Sequence, residues 1–447
     1  MSDVLSCIVI VILGVTVATV GTMRASRMER TYVPMSLLMH FVLAIANYEI
    51  MERVFVISDV HGYLEGGEVL ASLIEVHPLH WTFEIAKAAC FLPSELPQGT
   101  GPTGNMVSAA AIGLVLTRSV WGIFLLFAGM SFLGKWALFR AVRDELKTLD
   151  ERAIAFVTML VPSYVFWTSG LVKEAFAMAG LGVLVRGAQL LLRAFNLTAL
   201  VFVVCGLLVV ADFKPYFLLS FVVGVGFWIL FAKIERAPKF APVILVIGLV
   251  VGVGGLVLLG KQFEDYSIDN LGQSIARQQA WVRETQGGSD YAIGDATQRS
   301  LAGQAVYAPI ALVTTFARPF PTEARGLTSA ISSIEMLLMT ILLLRALART
   351  GLRRAGREVL SNGMLIFAAA FLLIGGTGVG LATTNLGTLS RYRTPLLPFY
   401  ALLIVVFQQA AARRVSPPRP RMPLRLHRRL ARSSTLENQA SKGSVTR

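Results

Sequence analysis

Charged residues are scarce in this chain. Only 15% of its 447 residues are Asp, Glu, Lys or Arg, whereas 55% are hydrophobic. A soluble domain of this length would need far more charge to keep its surface hydrated. A helix crosses the hydrocarbon layer with about 20 apolar residues, and uncharged runs such as Leu5–Met23 and Phe240–Gly260 are long enough. The composition excludes a soluble globular protein and predicts a polytopic helical membrane protein.

Cysteine and the common cofactor motifs are also sparse. The three cysteines, Cys7, Cys90 and Cys205, are far apart, and the chain has no C-x-x-C pair and no H-E-x-x-H helix. A metal site, including one for a divalent cation, therefore has no support in the sequence. The chain also lacks a Walker A loop and a G-x-G-x-x-G fingerprint, which argues against ATP-driven chemistry. We expect no cofactor and no nucleic-acid partner.

The net charge of +14 is concentrated in six short segments at the ends of apolar runs. Positively charged short loops stay in the cytoplasm, so we assign all six to that side. The last, from Arg413 to Arg432, contains eight arginines and belongs to a basic tail, 413–447. We expect this tail to be disordered and to lie near anionic membrane lipid. The other five segments are 24–30, 140–147, Arg186 with Arg193, 233–239 and 345–357.

The segments between the basic ones are assigned to the outer face, and they include two long loop regions, 52–118 and 261–327. This sidedness predicts an all-α transmembrane domain over 1–412, with about eleven spans and an outer N-terminus. Within the first loop region, 81–117 is interrupted by prolines and glycines and is expected to be interfacial or re-entrant. The expected spans are roughly 4–23, 33–51, 119–139, 153–169, 171–185, 196–211, 215–232, 240–260, 328–344, 360–381 and 395–412.

Five unusual polar motifs fall on the predicted outer face. A scatter of solvated loop charges would not need to coincide with tryptophan, proline and span ends. The motifs are DVHGY (59–63), FWTSGLVKE (166–174), DFKPY (212–216), ARPFPTEA (317–324) and SRYRTP (390–395).

Five cations in these motifs are candidates for binding a pyrophosphate. Ionisable groups within a membrane are costly unless they are paired or face a wet cavity, so each is a functional candidate. Arginine grips phosphate oxygens in pairs, whereas lysine acts as a compact point charge. The alternative for each is that a long side chain simply reaches the headgroups. The five are Lys173, Lys214, Arg318, Arg391 and Arg393.

Three carboxylates are candidate catalytic groups: Asp59, Glu174 and Glu323. A carboxylate in a low-dielectric cleft can act as a general base that deprotonates an attacking hydroxyl. We expect Asp59 to open the first large outer loop, followed by His61 and Tyr63 in a short glycine-containing turn. The alternatives are a salt bridge from Glu323 to Arg318 or Arg325, and neutralisation of Glu174 by Lys173 or another buried cation.

The motif set resembles that of a known group of membrane enzymes. PSYVFWTSGLVKEA is similar to a P-S-x-x-F-W-x-S-G-x-x-K-D/E pattern, and ARPFPTEA to an R-P-F-P-x-E segment, in proteins of bacterial polysaccharide gene clusters. RYRTPLLPFYALL and DVHGYLEGGEVLA are similar to R-Y-x-x-P-x-x-P and D-x-x-x-Y-x-x-x-A elements of C-type (GT-C) membrane glycosyltransferases. The chain therefore resembles EpsG- or Wzy-like polysaccharide polymerases, broadly of GT-C type. The resemblance implies a base at Asp59 and phosphate contacts at Lys173, Arg318, Arg391 and Arg393.

On this basis we expect a multi-pass glycosyltransferase of the bacterial inner membrane. It would act at the outer face on polyprenyl-(pyro)phosphate-linked sugars in surface or exopolysaccharide synthesis, as a polymerase or a ligase. Its expected partners are the polyprenyl-linked saccharide and a polysaccharide-export or chain-length protein. Two alternatives are a transporter or flippase of lipid-linked sugar, which would favour midplane charges and broken helices, and a non-catalytic scaffold.

Overall fold

The computed structural model describes residues 2–54, 58–240, 242–243, 270–285, 291, 293 and 298–415. Within these ranges the regular secondary structure consists of α-helices and three short 3₁₀ helices. The architecture is therefore an all-α bundle, as the composition predicts. The helices of its first half are α1 (Ser2–Thr22), α2 (Arg27–Arg53), α3 (Asp59–Val76), α4 (Pro78–Ala89), α5 (Pro102–Thr117), α6 (Val120–Glu145), α7 (Glu151–Met159), α8 (Pro162–Phe166), α9 (Lys173–Arg193), α10 (Leu197–Phe213) and α11 (Tyr216–Arg236).

The second half continues the bundle with shorter helices between its long ones. Its 3₁₀ turns are Pro321–Glu323 and Thr394–Leu396, and a third, Pro238–Phe240, follows α11. Its helices are α12 (Leu271–Thr285), α13 (Leu301–Ala305), α14 (Ala308–Ala317), α15 (Leu327–Thr350), α16 (Leu352–Val359), α17 (Gly363–Ala382), α18 (Leu386–Tyr392) and α19 (Leu397–Val415).

Eight helices in the described ranges are long and apolar enough to cross a membrane: α1, α2, α6, α9, α11, α15, α17 and the segment Thr394–Arg413 that forms most of α19. Three further helices, α5, α10 and α14, are apolar but shorter. A helix needs about 20 apolar residues to span the hydrocarbon core, so this set confirms a multi-pass membrane protein.

The predicted span 153–169 is not one continuous helix. The chain leaves α7 after Met159 and starts α8 at Pro162. A proline cannot donate the hydrogen bond that would continue α7, and it disfavours helical backbone at the preceding Val161, which is extended. The predicted span 240–260 lies almost entirely outside the described residues, as does most of the predicted basic tail, 413–447.

The predicted outer loop region 52–118 is largely helical, because it contains α3, α4 and α5. Asp59 is the first residue of α3, so the expectation of a short turn there is wrong. Helix α3 packs closely on α5: a Cβ atom at Gly67 would lie 2.8 Å from the side chain of Ala110. Small residues at this crossing let the two backbones approach and hold the start of α3 in place.

Helix α9 packs tightly against α6 on one side and against α10 on another. A Cβ atom at Gly182 of α9 would lie 1.9 Å from the backbone oxygen of Gly134 in α6, so neither position has room for a side chain. Small residues allow this approach, which increases van der Waals contact between helices in a membrane. The packing fixes α9 as a rigid element, and α9 begins at two of the candidate functional residues.

Candidate functional site

Five of the eight predicted site residues meet where several helices begin or end. Asp59 is the first residue of α3, and Lys173 and Glu174 are the first two of α9. Lys214 follows the last residue of α10, and Arg391 lies in the last turn of α18. We call this cluster the α9 site. The packing of α9 against α10 brings Lys173 and Glu174 close to Lys214. Asp59 and Arg391 join them from α3 and α18.

The centre of the α9 site is a buried ion pair between Lys214 and Glu174. The Lys214 Nζ lies 3.0 Å from Glu174 Oε1, and the two side chains are 4% and 0% exposed. Burial lowers the pKa of Lys214, but the Glu174 carboxylate more than offsets this effect. The pKa of Lys214 therefore lies above the ordinary value of a lysine. Glu174 is also at the N-terminus of α9, where the helix dipole favours a negative charge.

Arg391 connects this buried pair to the surface. Its Nη1 donates to Asp59 Oδ2 at 3.2 Å, and its Nη2 lies 3.6 Å from Glu174 Oε2. The Asp59 side chain is 50% exposed, so solvent and ligands can reach it, whereas they cannot reach Glu174. The two carboxylates therefore differ in access: a ligand can reach Asp59, whereas Glu174 contacts only the neighbouring cations. The catalytic roles of both stay predictions.

Tyrosines surround the cations of the α9 site. The Lys214 Nζ lies 3.8 Å from the ring centroid of Tyr392 and 5.4 Å from that of Tyr216. The Lys173 Nζ lies 5.8 Å from the ring centroid of Tyr63. The faces of these rings are electron-rich and stabilise a cation that has lost part of its hydration.

These tyrosines all lie in the polar motifs, but none of them is among the eight predicted site residues. Tyr63 stands four residues after Asp59 in DVHGY, and Tyr216 two after Lys214 in DFKPY. Tyr392 separates Arg391 from the next arginine. The signal that could have found them is this recurrence of one tyrosine beside each candidate charge. Thr103, whose Oγ1 accepts a hydrogen bond from Lys173 Nζ at 2.9 Å, had no signal of this kind.

The turn that leads into α9 is held by a buried lysine. Lys135 of α6 is fully buried, and its Nζ donates to Thr168 Oγ1 and to the backbone oxygen of Tyr164. The Nζ also lies 3.8 Å from the ring centroid of Tyr164. Gly170 follows with a φ of +128°, a conformation that glycine adopts readily. The motif FWTSGLVKE is therefore a fixed turn that places Lys173 and Glu174.

The other three predicted site residues form a neighbouring cluster. Arg318 makes a salt bridge with Glu323 in the RPFPTE segment, with 3.1 Å between Nε and Oε2. The salt bridge holds the pKa of Glu323 below its ordinary value. The Arg318 guanidinium also lies 4.3 Å from the ring centroid of Tyr291. This salt bridge is the expected alternative to a catalytic Glu323, and the catalytic role stays a prediction.

Arg393 is directed away from the α9 site. It is almost fully buried, and it donates to Ser332 Oγ at 2.7 Å and to the backbone oxygens of Thr315 and Arg318. The structure therefore separates the two arginines of the RYR sequence: Arg391 borders an accessible carboxylate, whereas Arg393 holds the end of α14 against α18.

The charges of the α9 site leave one cation uncompensated. Three cations, Lys173, Lys214 and Arg391, contact or neighbour two carboxylates, Asp59 and Glu174. The arrangement can bind an anion at Lys173 and Arg391 and can accept a proton at Asp59. Among the described residues, no group of three or more His, Cys, Asp or Glu side chains is placed to hold a metal ion.

No protein-family model, curated protein or solved structure matches the chain. The resemblance to EpsG- and Wzy-like polymerases therefore rests on the sequence motifs alone, and the geometry of the α9 site is the independent ground for a functional proposal.

Proposed function

We propose that the protein is a membrane glycosyltransferase, of polysaccharide polymerase or ligase type and GT-C-like fold. It acts on polyprenyl-(pyro)phosphate-linked sugars at the outer face of the bacterial inner membrane, in surface or exopolysaccharide synthesis. The observation that carries the proposal is Arg391, which contacts the accessible carboxylate of Asp59 and the buried carboxylate of Glu174 at once. It is supported by the resemblance of the motifs that supply these residues.

The first step assigned to the site is binding of the leaving group. A glycosyl transfer from a lipid pyrophosphate breaks the bond between the sugar C1 and a phosphate oxygen, so negative charge grows on that oxygen. Preorganised cations that stabilise such charge supply a large part of enzymatic catalysis. Lys173 and Arg391 are the partly exposed cations, and the buried pair of Lys214 with Glu174 holds Arg391 beside them.

The second step is activation of the acceptor. Asp59 accepts the proton of the acceptor sugar's hydroxyl group. The hydroxyl oxygen forms the new bond to C1 of the donor sugar as the bond from C1 to the phosphate oxygen breaks. In the free protein Arg391 is paired with Asp59 at 3.2 Å. When the pyrophosphate arrives, it competes for the Arg391 guanidinium, and Asp59 is released to act as the base. Binding of the donor would thus prepare the base for the acceptor.

The direct test replaces Asp59 by Asn in the full-length protein. Loss of a general base lowers the rate by a factor of about 100 to 10,000. We expect polymer formation to fall by about 100-fold or more and the lipid-linked sugar to accumulate, while insertion and protein level stay normal. Both quantities are measured in cells and with purified protein supplied with a polyprenyl-linked donor.

Glu68→Gln is the matched control, because Glu68 lies on the same helix, is exposed and makes no side-chain hydrogen bond or salt bridge in the described part of the chain. This variant should keep full activity. Unchanged polymer yield in Asp59→Asn, or equal loss in both variants, contradicts the proposed role of Asp59.

A transporter of lipid-linked sugar is the second candidate, and the broken helix pair α7–α8 favours it. Transporters build their binding sites from discontinuous helices near the bilayer midplane. Here the fully buried Lys135, in the interior of α6, contacts the residues that follow the break. The purified protein separates the two candidates: an enzyme forms a new glycosidic bond in detergent solution, whereas a transporter returns the lipid-linked sugar unchanged.

A further inference from the structure

A second polar region lies at the opposite end of α9. A cleft with a volume of about 450 Å³ opens where α1 ends and α2 begins, beside the C-terminal halves of α6 and α9. Arg186, which borders it, is 13 residues after Lys173, or roughly 20 Å along the helix. The cleft is therefore separate from the α9 site. Its charged lining residues are Arg24, Arg140, Arg143, Arg186, Glu29 and Glu151.

The base of the cleft is built around the buried carboxylate of Glu29, whose side chain is 2% exposed. One oxygen accepts hydrogen bonds from Arg140 Nε at 2.6 Å and from Trp136 Nε1 at 2.7 Å, and the other accepts from Arg143 Nη1. The Arg140 guanidinium also stacks 4.4 Å from the ring centroid of Trp136. Two guanidinium groups are thus fixed in orientation before any ligand arrives.

Two further arginines keep donors available. The side-chain contacts of Arg186 with Asp144, Gln189 and the Arg140 backbone oxygen all use Nη1, so within the described ranges its Nη2 has no acceptor. Arg24 is exposed, and no carboxylate in the described part of the chain pairs with it. The cleft therefore combines a fixed pair of guanidiniums with donors that lack a protein partner.

The charge of the cleft is unbalanced. Its four arginines face the carboxylates of Glu29, Glu151 and Asp144, which leaves one positive charge uncompensated. Ligand sites in proteins have volumes of about 300–1,000 Å³, so the cleft is large enough for a small anionic group. Guanidinium groups bind phosphate oxygens in pairs, and basic pockets between transmembrane helices accommodate lipid headgroups.

We propose that this cleft binds a singly charged phosphate group, of the kind that an anionic phospholipid headgroup or free phosphate carries. Arg140 and Arg143 form its fixed floor, and Arg24 and Arg186 supply the donors that close on the ligand. The basic segments that form the cleft belong to the predicted cytoplasmic side. This site is independent of the proposed transferase activity, because it shares no residue with the α9 site.

The test uses the full-length protein in detergent micelles that contain either phosphatidylglycerol or phosphatidylcholine. Native mass spectrometry counts the retained lipid, and added millimolar inorganic phosphate serves as competitor. The variants are Arg24→Gln, which changes only an exposed side chain, and the double variant Arg24→Gln with Arg186→Gln. Arg193→Gln is the matched control, because Arg193 lies on the same helix and pairs with Glu145 but does not line the cleft.

We expect wild type and Arg193→Gln to retain phosphatidylglycerol in preference to phosphatidylcholine. Retention should fall about fivefold for each cleft arginine removed. Displacement by inorganic phosphate, or thermal stabilisation by it that the double variant loses, supports the same site with free phosphate as the ligand. Retention that is equal in all variants, or that falls as much in Arg193→Gln as in Arg24→Gln, overturns the proposal.

Discussion

The two ends of α9 hold their cations in different ways. In the cleft, Glu29 and Asp144 each contact two arginines, and Glu151 contacts Arg143 and accepts a hydrogen bond from Ser26. At the α9 site, Asp59 has Arg391 as its one partner among the described residues and is half exposed. A carboxylate with several donors is held in place, whereas an exposed carboxylate with a single donor can exchange that donor for a ligand. The difference between the two ends is therefore the accessible carboxylate of Asp59, because the buried Glu174 contacts two cations just as Glu29 does.

The largest expected effect that tests this difference comes from Glu174→Gln. The change leaves Lys214 and Arg391 without their buried anionic partner, and breaking a buried ion pair costs about 3–5 kcal/mol. We expect a loss of that size in the free energy of unfolding in detergent, together with loss of transferase activity. Glu323→Gln is the control, because its salt bridge is partly exposed and its loss should cost about 1 kcal/mol or less. Equal stability of the two variants would contradict the buried pairing.

Glu29→Gln is expected to be almost as destabilising but to leave chemistry intact. The amide keeps an oxygen for Trp136 but removes the charge that Arg140 and Arg143 share, at a cost of about 3 kcal/mol. Activity per folded molecule should match wild type, since the α9 site is about 20 Å away. A fall in specific activity with unchanged stability would show that the two ends are not separate.

The smallest effect is expected from the aromatic rings that face cations at both ends. Replacing Tyr392 by Leu removes the ring that lies 3.8 Å from Lys214 Nζ, and a cation–π contact contributes about 1–2 kcal/mol. We expect the KM for the lipid-linked donor to rise about fivefold or more, with little change in kcat. Tyr392→Phe keeps the ring and should behave as wild type. If the two variants are equally impaired, the hydroxyl rather than the ring is the important group.

The hydrophobic runs and the polar motifs of the sequence predict the helical membrane fold and much of the composition of the α9 site. Long uncharged runs predicted a multi-pass helical protein, which the eight apolar helices confirm. The sequence predicts that the polar motifs share one face, and Asp59, Lys173, Lys214 and Arg391, from four of these motifs, lie together. The side of the membrane on which they lie stays a prediction. Their catalytic and binding roles remain predictions. The placement could be predicted because charged residues at span ends have few low-energy locations.

Other features depended on contacts that the sequence does not display. The segment that forms α3 was predicted to be a loop because it is rich in glutamate, and Glu65 and Glu68 are indeed exposed. The other face of the helix is buried and includes Val60, Tyr63 and Leu64. This face packs against α5. The sequence does not predict α5 as a span, because prolines and glycines interrupt the apolar residues of 81–117. The arginines of the cleft belong to three basic segments that the sequence assigns to the cytoplasmic side, and nothing in the sequence shows that these segments meet. The carboxylate that organises the cleft, Glu29, lies in one of these segments and was not a candidate residue.

The close approach of α6 and α9 has a consequence for recognising relatives. Gly134 and Gly182 are 48 positions apart, and an added methyl at either one would collide with backbone rather than with a side chain that could move. Replacement of one glycine cannot be compensated by shrinking the other, so both should persist after most of the surrounding apolar residues have drifted. Two glycines with this spacing, the second in a helix that begins with Lys-Glu, form a compact signature. The signature can identify distant homologues whose overall sequence similarity has been lost.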